Sequence, residues 1–482
     1  MEVKILGSKA ERTIVRILLS MVIFAVMSLT GCIKPPGRFE TLSDFQQNFS
    51  ERKMLAVISG DQKLTLKKAV KTALCNNPTN QAAAQAVNAA RYGYFRALSS
   101  YAPELNGGYS LGHTLSRGWD LKNPPVGVMK RNDHFVTGGS IQASWLLFDG
   151  FARELEAVIA HLEYQRSGVL EKNVQRLLER AVAYAFYDMY LAEEEIRIYT
   201  EDLDFQNSAL VQEKERFRNG HVSKASVLNF QILAARAQSN IHNAVYRWQV
   251  AFHALFALMG YERRKLPEKV KLHRVSGEEL PQILDENFYL ELAIKYRPDL
   301  EAEKIALNIA WRNKQKAYAD FFPELKLFSE FTLETYHAGY GGYRVSGARS
   351  VQGGFTYGIE GKWNLFKGFD SFNKVRKEKA MERMAMWELN AKFLEVVTDV
   401  RDAHSNCKNA QIQIGIFQEM AQWVKEQRDL VYSEYCNGRQ TITRLNEAQD
   451  MLVEAQSKLI VAIIEFSKAV AQLYAATGLR IQ

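Results

Sequence analysis

The heptapeptide Trp-Leu-Leu-Phe-Asp-Gly-Phe (Trp145–Phe151) closes an alternating apolar run, and 218 positions later Trp-Asn-Leu-Phe-Lys-Gly-Phe (Trp363–Phe369) does the same. The correspondence reaches far beyond these residues. Asn76–Asn80 answers to Tyr296–Leu300, Ser100–Leu105 to Asp320–Leu325, Arg216–Gln231 to the segment around Gly438 and Gln449, and the stretch ending at Gly260 to the one ending at Gly478. The offset is 220 in the first part of each copy and 218 in the second. The chain is therefore a tandem duplication of a unit of roughly 200 residues, and both copies must be able to fold the same way.

Within a copy the apolar period changes along the chain. Each begins with a short helical pattern that stops near Pro78 or Pro298, then an alanine-rich helix up to Pro103 or Pro323, where proline disfavours helix in its predecessor. Period-two alternation follows. Leu325, Leu327, Phe331 and Leu333 share one face against Glu324, Lys326, Glu330 and Thr332, and Ile141, Ala143, Trp145 and Leu147 alternate with Ser140, Gln142 and Ser144. These are strands with one apolar and one polar side, in hairpins over about 104–148 and 324–366. Their connections, around 119–133 and 336–350, are rich in Gly, Pro and charge and read as long surface loops.

After the heptapeptide the period becomes helical. From about Phe151 to Arg218, and again from about Phe369 to Cys436, a single helix would be roughly 100 Å long at ~1.5 Å per residue, far beyond the usual globular helix. Val174, Leu178, Ala181, Ala185 and Met189 form its packing stripe. Gly220 and Gly438 interrupt the pattern, and a return helix runs to Gly260 or Gly478. The junction residues Trp145, Phe148, Gly150, Trp363, Phe366 and Gly368 mark where strand becomes helix. The tryptophans close an apolar strand face, a position suited to a membrane–water interface. Asp149 can cap the new helix, whereas Lys367 cannot.

The amino end carries Lys4, Lys9, Arg12 and Arg16, then the apolar run Ile17–Leu29 and Thr-Gly-Cys. A charged start and an apolar run too short to span a bilayer read as a secretory signal. Leu29–Cys32 resembles a lipobox, which gives a signal over 1–31, a mature chain acylated at Cys32, and a linker over 32–62. The first repeat then occupies 63–260, a linker 261–286 and the second repeat 287–478. Cys75, Cys407 and Cys436 are too few and scattered for a disulfide framework. The formal charge of +8 falls to +6 without the signal, which holds four Lys/Arg and two Asp/Glu. Its basic residues are interleaved with acids, so nucleic acid is not an indicated partner. No His-Glu-x-x-His or Cys-x-x-Cys occurs, and the glycines of Gly107–Gly112 lack the lysine of a phosphate loop, so neither an enzyme nor a cofactor is indicated.

Four strands cannot stand alone in lipid, because open sheet edges leave N–H and C=O groups unsatisfied at several kcal/mol each. Other copies must close them. Two chains would make an eight-stranded ring and three a twelve-stranded one, and only the larger leaves a useful aqueous bore. The alternative is a coiled-coil structural lipoprotein of the envelope with no channel, which leaves the alternating strands unexplained.

The paired Pro-Glu-Leu strand starts, the paired Leu-Phe-x-Gly junctions, and the paired glycine tips followed by Gln238–Ser239 and Gln456–Ser457 together resemble the TolC-like outer-membrane efflux proteins over about residues 60–480. The resemblance implies an α+β membrane protein: a homotrimer whose four strands per protomer build a twelve-stranded barrel in outer-membrane lipid, above a periplasmic barrel of duplicated helical hairpins. It implies an exit duct of a tripartite efflux or type I secretion system, partnered by a periplasmic adaptor and an inner-membrane transporter. The adaptor would dock at tips formed by Gly220, Ser223, Leu228, Gly438 and Thr441. In the best-studied relatives, acidic residues six and nine positions after the second tip glycine close the entrance. Here those positions are Arg444 and Glu447, with Tyr435 before Gly438, Gln440 after it, and Ser226 at the matching first-copy position. Three arginines about 6 Å apart would repel by about 3 kcal/mol per pair at an effective dielectric near 20. Arg444 and Glu447, three apart on a helix, can instead pair with each other.

Overall fold

A computed structural model describes residues 64–120, 128–261, 281–339 and 349–480. The signal, Cys32 and the 32–62 linker lie outside the described residues, as does most of the inter-repeat linker. In chain order the elements are α1 (Leu66–Asn76), α2 (Pro78–Ser99), β1 (Glu104–Asp120), β2 (Val128–Phe148), α3 (Ala152–Arg218) and α4 (Lys224–Leu258). The second copy repeats them as α5 (Glu286–Tyr296), α6 (Pro298–Ala317), a 3-10 turn over Tyr318–Phe321, β3 (Glu324–Gly339), β4 (Arg349–Lys362), α7 (Asp370–Cys436) and α8 (Ile442–Thr477).

The four strands form one antiparallel meander in the order β1-β2-β3-β4. Strand pairing extends further than the alternation suggests. Trp119 and Asp120 still pair with Met129 and Val128, and His337 with Arg349, so the connections shrink to 121–127 and 340–348. Ladder bonds are made by the backbone, so glycine-rich and polar stretches can pair without an apolar pattern. In the other direction β4 ends at Lys362, short of the expected 366, and Trp363 already lies beyond it.

The prolines open helices rather than merely stopping them. Pro78 and Pro298 occupy the first helical position, where the missing N–H costs nothing. Asn77 caps α2 through Thr79 N–H at 2.8 Å and donates its own amide to the Leu258 carbonyl at 2.8 Å, which ties the end of α4 to the start of α2. The 22 residues of α2 and the 35 of α4 thus meet at this point, and both lie along the 67-residue α3. At the equivalent place in the second copy stands Arg297, which cannot cap. It donates instead to Asp299 at 2.9 Å, to Asp399 at 2.5 Å and to the Ala476 carbonyl at 3.4 Å. Different chemistry makes the same join.

Both long helices run unbroken through one glycine, Gly168 in α3 and Gly415 in α7, each a local cost of about 1 kcal/mol. Tertiary burial outweighs it. Leu178, Val182, Phe186 and Met189 of α3 form a core with Ala69 and Ala73 of α1 and Leu255 and Phe256 of α4. Val396, Val400 and Cys407 of α7 form the matching core with Tyr289, Ala293 and Leu473. Near the turns, Phe230, Leu445 and Val431 make a smaller cluster.

Candidate functional site

Three regions of the fold carry chemistry. The first is the sheet. Strands β2 and β3 are flanked on both sides, yet Ile141, Trp145, Leu147, Leu327, Phe331 and Leu333 are exposed. A contiguous apolar face of this kind is a lipid-facing surface, not a soluble one. The opposite face carries Ser140, Gln142, Lys326, Glu330 and Thr332, with glycines where strands crowd: the Gly138 backbone lies under Ser110 Oγ and the Glu334 side chain. The outer edges of β1 and β4 have no strand partner within the described chain.

The second region is the junction, where the repeated heptapeptides make repeated geometry. Trp145 Nε1 donates to the Tyr101 carbonyl at 2.9 Å and Trp363 Nε1 to the Phe321 carbonyl at 3.1 Å. Each indole thus pins the end of its hairpin beside the start. Phe148 meets Phe151 edge-on at 5.4 Å, and Phe366 meets Phe369 at 5.5 Å. Gly150 and Phe151, like Gly368 and Phe369, are consecutive left-handed residues, with φ of 71°, 67°, 58° and 67°. A bulky residue at positive φ costs roughly 1 kcal/mol or more, and although Phe151 and Phe369 stay exposed, the edge-on contact each makes with the phenylalanine three residues before it offsets part of that strain. Asp149 Oδ2 accepts the Arg153 N–H at 2.9 Å, while Lys367 leaves α7 uncapped.

The third region is the pair of tips. Gly220 and Gly438 both adopt φ of 72°, and their neighbours close the turn, His221 N–H to the Arg216 carbonyl at 2.9 Å and Arg439 N–H to Glu434 at 2.8 Å. Thr441 caps α8 by accepting from Arg444 N–H at 3.3 Å, whereas Ser223 makes no cap bond and its hydroxyl faces Ser226 at 3.5 Å. Leu228 is exposed. Gln440 donates to Glu434 at 2.9 Å, and Arg444 to Glu447 at 3.2 Å.

Tyr435 turns away from all of these. Its hydroxyl donates at 2.8 Å to Glu213, a carboxylate 1 % exposed on α3, and Arg216 lies 5.3 Å over its ring. Burial and the Glu213 carboxylate push the Tyr435 hydroxyl well above the usual phenol range. About three turns earlier on α3, Asp202 accepts amide bonds from Gln206 and Gln449. Glu213 and Asp202 were not among the residues singled out above. Their signal was present, since Asp202, Gln206, Ala209 and Glu213 recur at helical spacing on the inward stripe of α3, where apolar residues belong. Among the described residues no group of His, Cys, Asp or Glu is arranged to hold a metal ion.

A lipid-facing antiparallel meander with open edges, continued by two helical hairpins about 100 Å long, defines a channel-forming protein of the outer membrane. The chain belongs to the outer membrane efflux protein family, whose sequence model matches residues 69–261 and 289–479. It is 21 % identical over 343 residues to nodulation protein T of Rhizobium leguminosarum bv. trifolii, covering 70 % of this chain and 71 % of that protein. Among solved structures it resembles CusC, described for its transmembrane channel formation, with a TM-score of 0.71 at 19 % identity over 89 % of this chain and 96 % of that one. It also resembles the outer membrane protein VceC of Vibrio cholerae, with a TM-score of 0.69 at 17 % identity over 86 % and 97 % of the two chains. The fold is thus that of outer-membrane efflux channels, and the family consists of channels, not enzymes.

Proposed function

We propose that three copies close into a duct, anchored by lipid at Cys32, that takes substrates from a periplasmic adaptor and an inner-membrane pump to the exterior, in a tripartite efflux or type I secretion system. The observation that carries this reading is that the two open sheet edges are copies of the two edges already joined. β4 is the repeat of β2, and β1 the repeat of β3. Inside the chain Trp145 pairs with Leu327 and Ile141 with Phe331. Moved by the repeat offsets, the same register sets Ile359 of β4 opposite Leu111 of the next copy. Three copies give twelve strands and a bore wide enough for water, and satisfy every edge.

On this reading the glycine turns are the docking tips, with Ser223, Leu228 and Thr441 at the surface. In outer-membrane extracts the native chain should migrate as a heat-modifiable trimer and take up a palmitate analogue that Cys32→Ser loses. Tryptophan at Ser223 and Thr441 should abolish export and spare the trimer. A purely monomeric band, labelling that survives Cys32→Ser, or unchanged export would each remove the corresponding part of the proposal.

The entrance reading assigns Arg444, held by Glu447, to the axis, with Tyr435 and Gln440 positioning the second tip and Ser226 the first. A paired arginine ring offers divalent cations no site. Native channels in planar bilayers should therefore show weak divalent block, and Arg444→Asp should strengthen it at least tenfold. Unchanged block would take Arg444 out of the pore.

A further inference from the structure

The start of α7 differs in charge from its counterpart on α3. Phe372, Arg376, Lys379 and Arg383 follow one another at steps of four, three and four residues, so they share one side of the helix. Phe369 leads into this stripe from the cap, its ring 6.4 Å from that of Phe372. Both rings are exposed, at 64 % and 58 %, and so are the three cations beyond them. None of the three has an ion-pair partner among the described residues. Glu382, next to Arg383, is already held through both oxygens by Lys314 at 2.7 Å. Moved back by 218 positions, the stripe reads Glu154, Val158, His161 and Gln165, with Phe151 at the cap. The cap ring is kept, and every lysine and arginine is absent.

The first copy also shows that this side of the helix stays open. Within the chain α3 is flanked by α2 and by α6, yet Phe151 is 59 % exposed, Val158 40 %, and Gln165 is exposed as well. The side that α3 turns to α6 carries Glu156, paired with Lys316, and Arg166, 3.7 Å from Glu303. Their repeats Lys374 and Met384 stand two and twelve residues after Phe372, which at about 100° per residue puts both on other sides of α7. Surroundings for α7 like those of α3 therefore leave the stripe uncovered.

Its position says what it meets. Tyr318 and Phe322, at the end of α6 and so between α3 and α7, are exposed too. These rings lie near Trp363, which closes the lipid-facing strand face through its bond to the Phe321 carbonyl, and exposed rings at such a level mark the boundary between hydrocarbon and headgroups. Arg376 and Lys379 stand about 6 and 10 Å further along the helix than Phe372, with Arg383 about 16 Å away. Side chains of this length reach back toward the boundary while keeping their charge in the polar layer. The anion that layer presents is phosphate.

We infer that Arg376 and Lys379 hold the phosphate headgroup of an anionic glycerophospholipid whose acyl chains lie against Phe369, Phe372 and Tyr318, and that α3 has no such site. The inference rests on the reading that sets the sheet in outer-membrane lipid, and adds which lipid the second junction selects. Each cation beside an anionic lipid surface contributes about fivefold in affinity, so two give a preference of about 25-fold over a zwitterionic lipid, weakened by salt.

Native mass spectrometry of the full-length protein in a non-ionic detergent, titrated with phosphatidylglycerol or with phosphatidylcholine of the same acyl chains, reads this preference. The native chain should retain one phosphatidylglycerol about 25-fold more tightly than phosphatidylcholine, and Arg376→Gln with Lys379→Gln should bring the two lipids within about twofold. Lys408→Gln with Lys425→Gln, exposed cations further along α7, should leave the preference intact. Val158→Arg with His161→Lys writes the pair onto α3 and should raise the retained phosphatidylglycerol from one to two per chain. Excess inorganic phosphate should not displace the lipid. Equal retention of both lipids by the native chain, an equal loss in the Lys408 and Lys425 variant, no added lipid on the altered α3, or displacement by phosphate would each overturn the inference. A native chain absent from the outer-membrane fraction would instead remove the membrane reading beneath it.

Discussion

Replacing Arg297 by alanine should lower stability by about 1–3 kcal/mol, because it removes the main partner of the desolvated Asp299, which Arg176 alone would still hold, and of the partly exposed Asp399. The guanidinium is 3 % exposed and binds Asp299, Asp399 and the Ala476 carbonyl at once. It joins the start of α6, the middle of α7 and the end of α8. Arg297→Asn would copy Asn77 of the first repeat, regaining the cap and the carbonyl bond while leaving Asp399 unpaired and Asp299 with Arg176 alone, so its loss should be intermediate. The pH dependence gives the sign. Burial alone would raise the Asp299 carboxyl, but the bonds and charge of Arg297, with Arg176 and the Leu300 N–H, hold it below its ordinary 3.8. A depressed carboxylate contributes stability above its unfolded value and loses it as pH falls through the folded one. The gap between native protein and Arg297→Ala should therefore be full near neutrality and narrow below about pH 4. Denaturant unfolding of the detergent-solubilised protein at both pH values measures this, and equal gaps would mean that the network is not electrostatic in origin.

The second large effect separates two pairs of glycines with similar backbones. Gly438 and Gly478 have φ of 72° and 77°. Around Gly438 an added Cβ would meet open space, so alanine there should cost only the strain of positive φ, about 1 kcal/mol. At Gly478 the same atom would lie 2.6 Å from the Tyr296 carbonyl oxygen and 3.0 Å from the Arg297 nitrogen, both backbone. Gly478→Ala must push α8 off the α5–α6 join, adding about 1–3 kcal/mol of overpacking to the strain. Gly260, 2.7 Å from the Asn76 carbonyl, should behave like Gly478, and Gly220 like Gly438. If unfolding midpoints show equal losses at all four sites, backbone strain alone explains them and the close approach is irrelevant.

The contrast also explains why glycine recurs at corresponding positions for different reasons. At the tips it reverses the chain in open space. At the helix ends it lets two backbones touch, which is what allows α2 to follow α4 and α6 to follow α8 along the long helices.

The sequence by itself determined the architecture of one repeat, because that architecture rests on periodicity. Alternation gives strands with two unlike faces, a long period-3.6 run gives a helix of fixed length, and glycine and proline mark the breaks. The repeat at 218 and 220 positions fixed the internal symmetry, and the resemblance in motif order pointed to the family. Strand length was underestimated, since the ladder from Trp119 to Met129 relies on backbone groups that every residue carries. Only the tertiary structure decided which side chains meet across hundreds of residues. Tyr435 stood out from its place beside the tip glycine, but its partner Glu213 lies 222 positions away, and nothing in local pattern chooses that carboxylate over its neighbours. The same holds for Asn77 and Arg297. They occupy equivalent positions and make equivalent joins, yet one works by capping and the other through an ion network whose members come from three helices. Period and breakers act within a few residues along the chain, whereas pairing of buried polar groups is set by packing, and packing exists only once the helices lie side by side.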